Sequence, residues 1–427
     1  MKKILNITFV VICVFLLSAC TTDVNVDEPK EDKEEKTVEN KDDNKPELPE
    51  PVTIQISAVG DVMAHQPQIN AQYDQGTGEY DFNNNFKYIK PHIQDSDLAL
   101  ANLETTLAGH ERGYSGFPLF NAPDELAEGL FKAGFHGIST SNNHTYDTGK
   151  SGMLRTLDVL EKKGLASIGT RRSKEEKSYE IFDVDGIKVG VSAYTYETPI
   201  VNGHRTINGI TIPHTVEPLI DSFSYQNLDE DLKTMVQRVE KMEEEGAEVI
   251  IFYMHWGSEY HREPNSYQQK ISQSLADSGV DIIFGSHPHV VQPIQWYEST
   301  DGEHETLVVY SMGNFISNQR YETLENRYTE DGLIVNVNIT KDVSKNKIEI
   351  ESVTIIPTWV NRYLKEGKYV YEIIPLTEAV SSPEKFNLTG QALKRAKQSK
   401  TTTVEHVLGE NIKNVFLDSE YTLPVAN

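Results

Sequence analysis

His287 and His289 stand one residue apart at the end of the run 281–289, DIIFGSHPH. Imidazole is a neutral nitrogen ligand near physiological pH, and two of them on one turn suit a transition metal. Residues of similar character recur along the chain, each just past an expected strand: Asp61, His65, Glu104, Asn143, His144 and His255. Two carboxylates, one carboxamide and several imidazoles suit a pair of borderline divalent ions such as Mn²⁺, Fe²⁺ or Zn²⁺, and not Ca²⁺ or Mg²⁺ alone. Each residue also has an ordinary reading, as a turn Asp, a capping Asn or a surface His. Their shared position argues for a site, because open α/β sheets gather ligands at the carboxyl ends of their strands.

The elements that must position these residues follow from periodicity. Short β-branched or apolar runs at 52–59, 97–101, 137–140, 249–254, 281–284 and 306–311 read as strands, and Gly285 is expected to lend flexibility to the His287 turn. Between them, apolar residues at helical spacing predict helices at 86–93, around Leu126, Leu130 and Phe131, and at 151–163, 228–245 and 267–278. Asp185-Gly186 joins strands 180–184 and 187–194 as a hairpin, and strands 332–340 and 347–357 look antiparallel. Strand and helix in alternation, then strands in hairpin order, predict a layered α/β body with mixed sheets. The polar stretch 195–226 reads as a long lid or binding loop, and with Trp256 and His261 it is expected to shape a substrate pocket. Asn314, just past a strand, is a further candidate for substrate contact.

At the N-terminus Lys2 and Lys3 precede an apolar run, 4–17, and then Leu17-Ser18-Ala19-Cys20. This reads as an export signal. Its small residues before Cys20 resemble the lipobox of bacterial lipoproteins, which implies lipid on Cys20; an uncleaved membrane anchor is the other reading. Either way the body lies outside the cytoplasm at the cell membrane. Cys13 and Cys20 are the only cysteines, so disulfides play no part in the body. Residues 21–51 are too polar to offset ordering entropy and are expected to form a disordered acidic tether. A formal charge of −25 argues against nucleic-acid binding. The body is expected to divide at residue 360, with 52–360 as the domain and 361–427 as a C-terminal extension carrying a basic helix, GQALKRAKQ, with a solvated face.

Six motifs in order, GDVMAH (60–65), NLETTL (102–107), NNHTYDTG (142–149), MHWGSEY (254–260), GSHPHVVQP (285–293) and YSMGNFI (310–316), resemble the poly-γ-glutamate capsule-biosynthesis proteins of the CapA type, relatives of the calcineurin-like metallophosphoesterases. The resemblance implies a four-layer α-β-β-α sandwich with two mixed sheets and a dinuclear metal centre at their edge. It places Asp61, His65 and His289 on one ion, Asn143, His255 and His287 on the other, Glu104 between them, and His144 as the acid near the leaving group. Two departures from the phosphoesterase pattern stand out: His65 lies four residues after Asp61, where two is usual, and the bridging group is Glu104 in place of Asp. The function expected is a membrane-anchored, extracytoplasmic component of poly-γ-glutamate synthesis or export, working with membrane-bound synthase components on a polyanionic polymer. A metal-dependent hydrolase of a phosphate ester or amide bond in the envelope is the alternative. Service in some other envelope process remains a third reading, since fold and motifs do not determine substrate.

Overall fold

Along the strand Val249–His255 the side chains of Val249, Ile251 and Tyr253 join one apolar cluster, and those of Ile250, Phe252 and Met254 join another. A strand buried on both faces belongs to the interior of a sheet covered on both sides. The computed structural model describes residues 50–345, 347–408 and 413–418, so the expected export signal, Cys20 and nearly all of the tether lie outside them.

Two large mixed sheets form the body. The first runs, in spatial order, Lys368–Pro375, Lys347–Lys365, Asp331–Asp342, Val52–Val62, Leu98–Leu103, Gly137–Ser139 and Ala166–Ile168, with Asn314–Ile316 beside Val52–Val62 and Val415–Leu417 beside Lys347–Lys365. The second runs Ser222–Phe223, Ile187–Tyr196, Val249–His255, Ile282–Ser286, Glu305–Val309 and Ile294–Glu298, with Glu180–Val184 antiparallel to Ile187–Tyr196. One cluster takes Ile54, Ile56, Leu98 and Leu100 from the first sheet and Val189, Val191, Ile251 and Phe284 from the second, so the sheets pack face to face. The outer face of the first sheet is covered by the helices Glu125–Ala133 and Gly149–Lys162, that of the second by Leu228–Glu244 and Ser266–Ala276. The order of layers is therefore helix, sheet, sheet, helix, as expected.

Parallel register aligns the ends that matter. Asp61 pairs with Asn102 and Asn102 with Ser139 in the first sheet, while His255 pairs with Thr195 and Ser286 in the second. Two close approaches hold these ends together. A Cβ on Gly60 would stand 1.8 Å from Gly313 O, and one on Gly285 would stand 2.0 Å from Tyr310 O. Gly285 therefore serves strand packing and not turn flexibility. The backbone reversal falls on the histidines themselves, His287 at φ 95° and His289 at φ 57°, a conformation that costs a non-glycine residue about 1–3 kcal/mol.

Several expectations change in detail. The helix expected at 86–93 is two short ones, Asn83–Phe86 and Lys90–Gln94. Leu126 and Leu130 are buried but Phe131 is 51% exposed, its ring lying over Gly164. The expected boundary at residue 360 falls inside the strand Lys347–Lys365, and Lys368–Pro375 continues the same sheet. The basic helix is Gly390–Val407, and its Ala396, Ser399 and Thr403 are buried. The stretch 195–226 is not one loop: it holds a small sheet of Thr198–Val201, His204–Ile207 and Ile210–Thr211. No helix among the described residues is long and apolar enough to cross a membrane.

Candidate metal centre

Glu104 follows the strand Leu98–Leu103, and its backbone N–H donates to Val62 O at 3.0 Å. Its carboxylate is fully buried, and neither oxygen has a hydrogen-bond partner among the described residues. Around it stand three imidazoles: Oε1 lies 3.6 Å from His255 Nε2, 3.6 Å from His289 Nε2 and 4.0 Å from His144 Nε2. These separations are long for hydrogen bonds. They suit ligand atoms sharing one ion, which at bonds of about 2.1 Å lie roughly 3.4 Å apart in a tetrahedron. Burial, and then the negative charge of Asp61, push the Glu104 pKa well above the usual carboxylate range. A divalent cation would remove both penalties, so the donor set fits one.

Asp61 ends the strand Val52–Val62. Its Oδ1 accepts from Asn102 Nδ2 at 2.9 Å, and its Oδ2 accepts from the His287 backbone N–H at 3.3 Å and lies 3.0 Å from His289 Nδ1. Burial alone would raise its pKa, but the hydrogen bond from His289 and the nearby imidazoles outweigh that and hold it down at about 2. His289 Nδ1 also lies 3.1 Å from Asn314 Oδ1. Two acceptors facing Nδ1 place the proton there and leave the Nε2 lone pair turned toward Glu104, the arrangement in which an outer carboxylate orients a metal-binding imidazole.

His255 Nε2 lies 2.9 Å from Asn143 Oδ1, and its Nδ1 lies 3.0 Å from Ser286 Oγ. Burial lowers its pKa to about 3 and also pushes that of His287 well below the ordinary value, so both rings are neutral and fit to ligate. His287 Nδ1 is buried without a hydrogen bond. Two sets of donor atoms lie within 4.8 Å of one another: Glu104, His287 and His289, and Asp61, Glu104 and His255. Glu104 is common to both, and Asn143 adjoins the second. The His287 ring lies 4.8 Å from that of His255 and 5.9 Å from that of His289, so it adjoins both sets.

His65 belongs to neither set. Buried Met63 and Ala64 carry the chain beyond the edge, and the His65 backbone N–H donates to Gln68 Oε1 at 2.8 Å at the start of the next helix. Its Nδ1 faces Gln68 Oε1 at 3.2 Å and the Asn318 N–H at 3.3 Å. Burial takes its pKa down to about 4.

His144 lies beside the centre, with Nδ1 2.7 Å from Asp147 Oδ2. That contact turns Nε2 toward Glu104. Phe120 packs edge-on against both His144 and His65, with ring centroids 4.6 and 5.0 Å away, and its backbone N–H donates to Asp147 Oδ2. Asn208 Nδ2 reaches 3.4 Å from both His144 Nδ1 and Asp147 Oδ1. It stands in a two-residue turn with Gly209, at φ 51° and 71°, between strands of the small sheet. Sequence reasoning missed Asn208, although the Asn-Gly pair was a readable hairpin signal. It also missed Asn102, which donates to Asp61, and Tyr196, whose ring packs 4.6 Å from that of His287.

The three residues expected to contact substrate lie elsewhere or act otherwise. Trp256 is 0% exposed and its Nε1 donates to Tyr310 O at 2.9 Å, because it follows Met254 by two positions and shares that residue's helix-facing side. Asn314 is buried too, and its Nδ2 donates to Thr329 O and Gln319 Oε1, so it orients His289. His261 is exposed, in a loop whose backbone oxygens accept from Gln292.

Comparison with known proteins supplies a context for this site. The chain is 25% identical over 296 residues to the PGA biosynthesis protein CapA of Bacillus subtilis (strain 168), covering 68% of each chain. It is 27% identical over 273 residues to the capsule biosynthesis protein CapA of Bacillus anthracis, covering 62% of this chain and 60% of that one. Among solved structures, the calcineurin-like phosphoesterase YfkN of Bacillus subtilis aligns at a TM-score of 0.38 and 14% identity, covering 83% of this chain and 99% of that one. The model of the family described as bacterial capsule synthesis protein PGA_cap matches residues 55–319, and those residues hold every candidate ligand described above, so the chain belongs to that family.

Proposed function

We propose that this chain serves poly-γ-glutamate capsule synthesis or export at the outer face of the cell membrane, anchored through lipid on Cys20 and working beside membrane-bound synthase components. Family membership and the names of its CapA relatives support the capsule role. The Lys2 to Cys20 pattern supports the anchor. At its centre Asp61, Glu104, Asn143, His255, His287 and His289 would hold two divalent ions, Mn²⁺, Fe²⁺ or Zn²⁺. The observation that carries this is the fully buried Glu104 carboxylate, ringed by imidazole nitrogens and lacking any hydrogen bond among the described residues.

When bound, such ions would polarise an anionic or carbonyl group and lower the pKa of a bound water. The chain's own residues define what else the site can do. His287, His289, Asp61, His255 and Asn143 turn donor atoms toward Glu104 from both sheets, and Asn102 and Asn314 orient two of them. His144, tethered by Asp147 at Nδ1, presents the Nε2 lone pair to the centre, where it can take up a proton from an attacking water and then hand it to a departing oxygen or nitrogen. A purely structural metal site has no need of that tethered imidazole. This favours retained hydrolysis, of a phosphate ester or of the polymer's amide bond, as a second reading of the same centre.

Metal content of the purified full chain tests the proposal. About two transition-metal ions per chain, lost on Glu104→Ala, are expected; no tightly bound metal after supplying Mn²⁺ or Zn²⁺ would remove the metal reading. Mass spectrometry of the mature N-terminus should find Cys20 first and carrying lipid, and an intact segment ahead of Cys20 would count against the lipid anchor.

A further inference from the structure

Asn318 connects His65, which shares the ring of Phe120 with His144 beside the metal centre, to a second place in the molecule. Its backbone N–H donates to His65 Nδ1 at 3.3 Å, and its side-chain Oδ1 accepts from Arg362 Nη1 at 3.4 Å and from the Tyr371 hydroxyl at 2.7 Å. Beyond it Arg320, Arg327, Arg362 and Arg395 line a cavity of about 400 Å³, with Glu322 and Glu330 as the carboxylates on the wall. In a chain with a formal charge of −25 this is a local excess of cation.

The ion pairs leave that excess in place. Arg320 pairs with Glu322 at 3.0 Å and Glu330 at 3.5 Å, Arg362 shares Glu322 at 3.5 Å, and Arg395 divides itself between Glu330 at 3.4 Å and Asp331 at 3.1 Å. Arg327 has no carboxylate partner among the described residues, and its Nη2 donates to the Tyr328 hydroxyl at 3.2 Å. Arg320 is 4% exposed, and its Nη1, like that of Arg395, lacks a hydrogen bond among the described residues. Clustered guanidinium groups with too few counter-charges repel one another, and an incoming anion relieves the repulsion. The planar guanidinium fork matches a carboxylate or a phosphate through paired N–H donors.

We propose that this cavity is an anion subsite, holding a carboxylate of an extended polycarboxylate chain whose neighbouring unit lies at the metal centre. The choice of carboxylate rests on the polymer reading above; the cation excess and the Asn318 link to His65 do not. In a chain with a formal charge of −25, the cavity gives a polyanion a place to dock and gives the interaction a strong dependence on salt.

Calorimetric titration of the Mn²⁺-loaded full chain with a γ-linked glutamate decamer, and separately with inorganic phosphate, tests the subsite. Arg327→Ala and Arg362→Ala should each weaken decamer binding about tenfold and flatten its salt dependence, with metal content and phosphate binding unaltered. Arg362→Lys keeps the charge without the fork and should fall between. Arg327 has no carboxylate to leave unpaired, so its variant should fold even where Arg362→Ala does not. Equal decamer binding by parent and variants overturns the subsite while leaving the polymer reading intact. Decamer that fails to bind the parent overturns both. Variants that lose phosphate and keep decamer assign the cavity to phosphate, against the proposal.

Discussion

Glu104 Oε1 lies 3.6 Å from His255 Nε2, and these two groups come from different sheets. Each is buried and each lacks the means to satisfy the other: the distance is long for a hydrogen bond, and burial takes the His255 pKa down to about 3, so its ring is uncharged. The pair is arranged for a third party between them.

Glu104→Gln tests that relationship through stability as well as metal content. The carboxylate is a burden to the metal-free fold and an asset to the metal-loaded one. The metal-free variant is expected to melt no lower than the metal-free parent, whereas a chelator should lower the melting temperature of the parent and leave the variant unmoved. Differential scanning calorimetry with and without chelator checks this; a parent indifferent to chelator contradicts it.

Asp147→Asn should change where His144 carries its proton. Asp147 Oδ2, 2.7 Å from Nδ1, holds the proton on Nδ1 and leaves the Nε2 lone pair facing Glu104. An amide nitrogen turned toward Nδ1 would favour the other tautomer. Nitrogen-15 shifts of His144 report the switch directly, and any hydrolytic rate should fall by about two to four orders of magnitude. Asn208→Ala, which removes two long contacts of 3.4 Å to His144 and Asp147, should do far less to both readouts.

Gly285→Ala is expected to be among the most damaging single changes in the chain. Its new Cβ would stand 2.0 Å from Tyr310 O and 2.7 Å from Trp256 Nε1, forcing apart the strand ends that present His287 and His289. Trp256→Phe removes the hydrogen bond to Tyr310 O without the collision, at a cost of about 1–3 kcal/mol. Urea denaturation should separate the two by several kcal/mol; a soluble Gly285→Ala protein of parental stability would contradict the packing described.

Asp331 supplies a pH dependence away from the ligands. Burial raises its pKa to about 6, against the opposing pull of Arg395 and Ser399. For a carboxyl raised in the folded state, the neutral form is the favoured one. Its contribution is fully present below the unfolded pKa of about 3.9 and is lost as pH rises through about 6, a change of order 3 kcal/mol. Asp331→Asn should therefore gain stability relative to the parent between pH 4 and pH 6.5, approximately, and equal pH profiles for the two proteins would refute the assignment.

The strand ends were legible in the sequence because parallel strands in a sheet stop along one edge. Asp61, Glu104, Asn143, His255, His287 and His289 each follow an apolar run, and register then places Asp61 beside Asn102 and His255 beside Ser286. Helices such as Leu228–Glu244 were legible from 3.6-residue periodicity. Side-chain direction was not always followed through: Trp256 comes directly after His255, and the two-residue period of a strand sends it to the opposite side. What only tertiary structure decided are contacts between distant segments. The Asn208-Gly209 turn is a local signal, but its meeting with His144, 64 residues away, depends on where the small sheet packs. The separation of His65 from the ligand sets, the meeting of His255 with Asn143, and the gathering of four arginines around one cavity depend likewise on three-dimensional packing, because side chains far apart in the chain share a site only once both sheets and their loops are in place.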